Sequence, residues 1–151
     1  MTLTGCGIPL TGLLAEPGPS PRALVLALHG GGMTAEYFHG RAHPDLSLLR
    51  LGSGLGYSVL ALDRPGYGGS TAVLPDGQAL ADQVTTVYDA LDRFTVQHDI
   101  GSGIFVIGHS YGYKLALHLA AHALSVPATV CRFQSKSVYG RKHPTRPPRR
   151  R

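Results

Sequence analysis

The sequence predicts an α/β fold, a predominantly parallel sheet with helices on both faces. Three observations carry this. Three short apolar runs, residues 23–28, 57–62 and 104–107, are bounded by turn residues, as strands buried on both faces of a parallel sheet are. Helical patterns lie between and after these runs, and alternation of strand and helix gives parallel strands joined by helical crossovers. Each run is also followed by a glycine-containing turn or loop.

Residues 1–16 hold two weak apolar stretches, 3–8 and 10–15, that suit an edge hairpin, and three prolines between 16 and 21 end it. The run 23–28 (ALVLAL) is the first buried strand. Residues 33–51 read as an interrupted helical region, with Pro44 and Asp45 starting a better-formed half at Leu46, Leu49 and Arg50. The run 57–62 is the second buried strand and leads into a Gly-rich loop, 63–70. The clearest helix covers 78–98: Leu80, Val84, Val87, Tyr88, Leu91 and Phe94 draw one stripe at a 3.6-residue period, and Asp76 stands where an N-cap would. Residues 104–107 form the third strand, and 114–124 a last helix with Leu115, Leu119 and Leu124 toward the sheet. No internal repeat is visible.

The length of 151 residues suits one domain, and 43% hydrophobic with 15% charged residues excludes a wholly disordered or fibrous chain. No apolar run reaches the roughly 20 residues that cross a bilayer. The net charge of +5 is unevenly placed. Residues 1–131 hold six Lys/Arg against nine Asp/Glu, while 132–151 hold eight Lys/Arg and no acid. The basicity belongs to a tail, for which a nucleic-acid or anionic-surface arm is one reading, and no nucleic-acid partner is expected. Cys6 and Cys131 offer neither a disulfide framework nor metal-ligand spacing. The first residues lack a basic n-region and an apolar h-region, and Leu3-Thr4-Gly5-Cys6, although it spells a lipoprotein-type box, stands too near the start to follow a signal. The expectation is a cytoplasmic protein with no membrane partner.

Gly108-His109-Ser110-Tyr111-Gly112, between a strand and a helix, is the most informative segment. A nucleophile at such a junction needs a sharp turn, and glycines two positions before and after keep side chains from clashing. The serine then presents its hydroxyl beside the helix N-terminus, where the next residue's N–H points into the same space. His29-Gly30-Gly31-Gly32 ends an earlier strand, and its glycines let backbone N–H groups approach a ligand without Cβ interference. One of these N–H groups, with that of Tyr111, would supply two donors to an oxyanion near Ser110. A phosphate loop would require G-x-x-x-x-G-K-[ST], which is absent.

His-Gly-Gly-Gly, then Asp-Arg-Pro-Gly-Tyr-Gly-Gly-Ser, then Gly-His-Ser-Tyr-Gly, in this order at these strand ends, resemble the α/β-hydrolase superfamily over residues 24–124. The resemblance implies Ser110 as nucleophile and the N–H groups of Tyr111 and Gly31 as the oxyanion hole. It also implies a small-molecule acyl substrate (ester, thioester or a related group) and no cofactor. The 63–70 loop is expected to shape the site without a catalytic role.

The superfamily order is serine, then an acid, then histidine. No Asp or Glu follows Ser110 in this chain. His118 and His122 lie on one helix face at i and i+4, and with no third ligand nearby a solvated or packed face explains them. His109 holds the variable position of the turn, His143 stands in the tail, and Asp89, Asp92 and Asp99 fit a solvated helix face and its exit. The expected organisation is a partial α/β-hydrolase domain at 1–130, with the C-terminal strands missing, and a disordered Pro/Arg-rich tail at 131–151 that reads as out-of-frame or fragment sequence. Impaired hydrolysis follows from a missing base. A non-catalytic fragment or partner-binding remnant of the same fold is the alternative. An exposed sheet edge and apolar face would make the monomer poorly soluble.

Overall fold

The computed structural model describes residues 1–123; the 131–151 tail, His143 and Leu124 lie outside the described residues. Strands β1 (Thr2–Gly5) and β2 (Ile8–Ala15) form the expected hairpin, pairing Gly5 with Ile8 and Thr2 with Thr11. Its two-residue turn, Cys6-Gly7, has φ of 49° and 79°, the left-handed pair that matches strand twist in a tight hairpin. β2 then pairs antiparallel with β4 (Ser58–Leu62), which runs parallel to β3 (Leu24–Leu28), and β3 runs parallel to β5 (Ile104–Gly108). The order is β1-β2-β4-β3-β5. The sheet is therefore mixed: its three apolar runs are parallel as expected, and the hairpin adds an antiparallel edge.

Alternation along the strands divides the core in two. Leu24, Leu26 and Leu28 of β3, with Leu60 and Leu62 of β4, face α2 (Leu80–Gln97) and α3 (Tyr111–Ala123), meeting Val87, Leu91, Phe94, Leu115 and Leu119. Ala27, Val59 and Ala61 face the other way, toward Ala35 and toward Leu49 of α1 (Leu48–Gly54). Helices thus cover both faces. Each fully buried leucine contributes roughly 1.5–3 kcal/mol through area removed from water, which is why uninterrupted apolar runs here become central strands. β5 is the last strand on its side among the described residues, and its Phe105 and Ile107 are only half-buried.

Three helix boundaries differ from expectation. The 33–51 region resolves into two 3-10 turns, Ala35–Phe38 and Pro44–Leu46, followed by α1. Its cap is Ser47, whose hydroxyl accepts the Arg50 N–H at 3.2 Å, while Leu46 is exposed. α2 starts at Leu80 after Ala79, with no side-chain cap; Gly77 at φ 74° turns the chain between Asp76 and the helix. α3 starts at Tyr111, three residues before the expected position, directly behind Ser110.

Asp89 lies on a solvated face, as expected, and has a structural role there as well. Its Oδ2 accepts the Cys6 N–H at 2.7 Å, pinning the hairpin turn to α2, and Arg93 pairs with it one turn on. The Cys6 N–H, and then Arg93, hold this carboxyl below the usual carboxylate range.

Candidate active site

The carboxyl ends of β3, β4 and β5 lie side by side, because Leu28 pairs with both Leu62 and Gly108. The three Gly-rich loops read from the sequence therefore meet at one edge of the sheet, the position where open α/β sheets bind ligands.

At the end of β5 the chain turns through His109 and Ser110 into α3. Ser110 is exposed and has φ of 52°, a left-handed backbone that costs a non-glycine residue roughly 1–2 kcal/mol. The two glycines around it are required by space. A Cβ on Gly108 would come within 2.5 Å of the Gly112 carbonyl and the Tyr113 nitrogen, and one on Gly112 would run into the Leu28 and His29 carbonyl oxygens. Behind the serine, the N–H groups of Gly112 and Tyr113 bond back to the His109 and Ser110 carbonyls at 2.9 and 3.1 Å. Among the described residues, the Tyr111 N–H has no such backbone acceptor.

The His29–Gly32 loop packs on this turn. The His109 N–H bonds the Leu28 carbonyl at 3.0 Å, and a Cβ on Gly30 would stand 3.2 Å from the Ser110 Cβ and 2.8 Å from His109 Nδ1. Nothing crowds a Cβ at Gly31, so that residue opens toward solvent beside the serine. The structure thus brings together all three residues singled out from the sequence: Ser110 and Tyr111 on one turn, Gly31 on the loop against it.

Beneath the loop lies a polar network that the sequence reading did not single out. His29 is fully buried: its Nδ1 bonds the Gly30 carbonyl at 2.7 Å, and its Nε2 accepts the Arg64 backbone N–H at 3.0 Å. That pair of partners assigns the proton to Nδ1 and leaves the ring neutral. Burial is the main cause holding its pKa below the ordinary histidine value, and the Arg64 cation adds to it. Asp63 accepts the Ala35 N–H and the Thr11 hydroxyl, both at 2.6 Å, tying β2 and the first 3-10 turn to the end of β4.

Arg64 is 2% exposed. Its Nε donates to the His29 carbonyl at 2.9 Å, Nη1 to Gln83 Oε1 at 3.1 Å and Nη2 to the Gly30 carbonyl at 3.3 Å. Its guanidinium carbon lies 4.6 Å from the centre of the Tyr67 ring and 4.7 Å from that of Tyr111. Among the described residues no carboxylate is paired with it. A cleft of about 200 Å³ adjoins the network on the Gly31 and Tyr111 side of the turn, lined also by Arg64, Tyr67, Asp76 and Gln78.

No histidine among the described residues is hydrogen-bonded to the Ser110 hydroxyl. The His109 ring lies tilted against that of Tyr37, 4.7 Å between centroids, with its Nδ1 buried and unpartnered. His118 is exposed, and His122 packs edge-on against Tyr88. His98 stacks on Phe94 and pairs with Glu16. Among the described residues no three His, Cys, Asp or Glu side chains converge as metal ligands, and no helix is long and apolar enough to cross a membrane.

The fold has a match among known proteins. The chain belongs to the alpha/beta hydrolase family, whose family profile matches residues 24–150. Among solved structures it is similar to Est1E from Butyrivibrio proteoclasticus, in a structure with bound ferulic acid, at 23% identity and a TM-score of 0.64 over 83% of this chain and 49% of that one. It is similar to the epoxide hydrolase VrEH1 from Vigna radiata at 21% identity and a TM-score of 0.59, over 87% of this chain and 37% of that one. A membrane phospholipase A described as a bacterial virulence factor matches at 21% identity and a TM-score of 0.62, over 83% of this chain and 36% of that one. The chain thus spans half or less of the length of these structures. No curated protein sequence matches it.

Proposed function

We propose that this chain carries the nucleophile half of a hydrolase site acting on an ester, thioester or related acyl group of a small molecule. Ser110 Oγ would attack the acyl carbon, and the N–H groups of Tyr111 and Gly31 would receive the oxygen that becomes negative. One observation carries the reading: Ser110 sits in a left-handed backbone between β5 and α3, with the Gly30–Gly31 loop packed against it. Strain of this size persists where surrounding structure enforces it, and such residues cluster at reactive sites. The start of α3 adds a positive dipole end beside the hydroxyl.

Among the described residues no histidine is bonded to Ser110 to accept its proton. His29 cannot take it, because both ring nitrogens are committed inside the core. No acid follows Ser110 in the sequence. In a serine hydrolase, losing the base costs roughly 10⁶-fold in kcat, and what remains, roughly 10³–10⁴-fold over water, comes from the oxyanion donors and binding. Slow hydrolysis by this chain would therefore depend little on Ser110, and turnover is a poor test. Affinity for an arylboronic acid is a better one, since the serine oxygen adds to boron as its hydroxyl proton passes to solvent, giving a tetrahedral anion without a leaving group. Binding that is lost in Ser110→Ala supports the reading; equal binding by the two proteins overturns it.

The alternative is a non-catalytic domain of the same fold, favoured by the absence, among the described residues, of a histidine bonded to the Ser110 hydroxyl. In that case no tetrahedral adduct forms on Ser110.

A further inference from the structure

We propose that Arg64 is a positioning residue for both oxyanion donors, and that its unpaired charge favours an anion at the site; this rests on the reading of Gly31 and Tyr111 given above. The Gly30 carbonyl and the Gly31 N–H belong to one planar peptide unit, and in a trans peptide they point in opposite directions. Fixing the oxygen therefore aims the hydrogen. Two donors hold that oxygen, His29 Nδ1 at 2.7 Å and Arg64 Nη2 at 3.3 Å, both from the buried side. The same guanidinium takes the preceding carbonyl, of His29, through Nε. On its other side it lies against the ring of Tyr111, whose own N–H is the second donor. One side chain thus contacts the loop bearing one donor and the residue bearing the other.

The charge matters as much as the geometry. A buried cation without a carboxylate is costly unless its hydrogens are satisfied, and here carbonyl and amide oxygens and two aromatic faces do this without cancelling the charge. The residual positive potential reaches the Gly30–Gly31 peptide through its carbonyl and strengthens the N–H as a donor. A carboxylate partner would have removed that effect. Lysine could not reproduce the arrangement, because the three bonds diverge from a planar fork that also stacks.

The test follows an arylboronic acid binding to the ¹⁵N-labelled wild-type chain by NMR, with an unreactive aryl amide as the neutral comparison. Boronate is expected to shift the amide resonances of Gly31 and Tyr111 together with the Nε–H resonance of Arg64. Arg64→Met, which keeps the stem and loses the fork, should weaken boronate binding about tenfold or more. The aryl amide should bind this variant within about twofold of wild type, a split that general loosening of the fold would not give. Arg64→Lys should recover only part of the loss. Amides that move while Arg64 stays unmoved, or equal weakening of both ligands in Arg64→Met, would overturn the positioning role alone. Amides that do not move would overturn the oxyanion reading and this proposal with it.

Discussion

Replacing Ser110 by glycine should make the protein more stable than replacing it by alanine, because the backbone there is held at φ 52°. Alanine keeps a Cβ and so keeps the left-handed strain, roughly 1–2 kcal/mol. Glycine removes that strain but brings extra freedom in the unfolded chain, which costs roughly 0.5–1 kcal/mol relative to alanine. The difference leaves Ser110→Gly ahead by about 0.5–1 kcal/mol, or roughly 2–4 °C in Tm for a chain of this size. Paired urea denaturation curves of the two variants measure it, with Cys6 as an internal comparison, since Cys6 has φ of 49° and should show the same sign. At Ser53, inside α1, the order should reverse, because helical glycine is about 1 kcal/mol worse than alanine. Ser110→Gly no more stable than Ser110→Ala would refute the claim that the structure around this turn imposes strain on the nucleophile.

Gly108→Ala should destabilise by about 2–4 kcal/mol, since its Cβ would lie 2.5 Å from backbone atoms of Gly112 and Tyr113; a urea midpoint within error of wild type would contradict the tight turn. Stability should fall as pH drops below about 6.5: the folded pKa of His29 lies under its unfolded value, so the unfolded chain takes up the proton first. The slope of this one group is limited to about 1.4 kcal/mol per pH unit, and His29→Gln should remove it; an unchanged pH profile in that variant would assign the dependence elsewhere. Asp63→Asn should cost about 1–3 kcal/mol, because the amide turns a donor toward either the Ala35 N–H or the Thr11 hydroxyl; thermal melts at neutral pH measure it, and an unshifted Tm would count against both bonds.

The parts of this molecule that were legible in its sequence depend on neighbours close in the chain. Leu24, Leu26 and Leu28 face one side of the sheet and Ala27 the other, so the run shows no alternation of polarity and reads as a central strand. The Gly108–Gly112 pattern was readable because strand, sharp turn and helix succeed one another within a few residues. The start of α3 was misplaced, since Tyr111, Gly112 and Tyr113 are modest helix formers and the helix there is set by the turn before it. Asp76 satisfied the capping rule and failed as a cap because Gly77 bends the chain away. Arg64 and Asp89 were out of reach for a different reason. The partners of Arg64 come from residues 29, 30, 67, 83 and 111, and Asp89 binds an amide 83 positions away. No local pattern encodes such meetings; only the folded sheet brings them together.

Ser110 should be the most reactive hydroxyl of this chain toward an acyl group. Incubating the protein with an activated aryl ester at mildly alkaline pH, and mapping acylated peptides by mass spectrometry over time, tests it directly. With no base bonded to Ser110 among the described residues, the adduct should form slowly and, once formed, persist. Ser110 should be acylated ahead of every other serine, and Ser110→Ala should show no adduct on the peptide spanning the turn. Acylation spread evenly over exposed serines and lysines, with Ser110 no faster than Ser53 or Ser102, would contradict it.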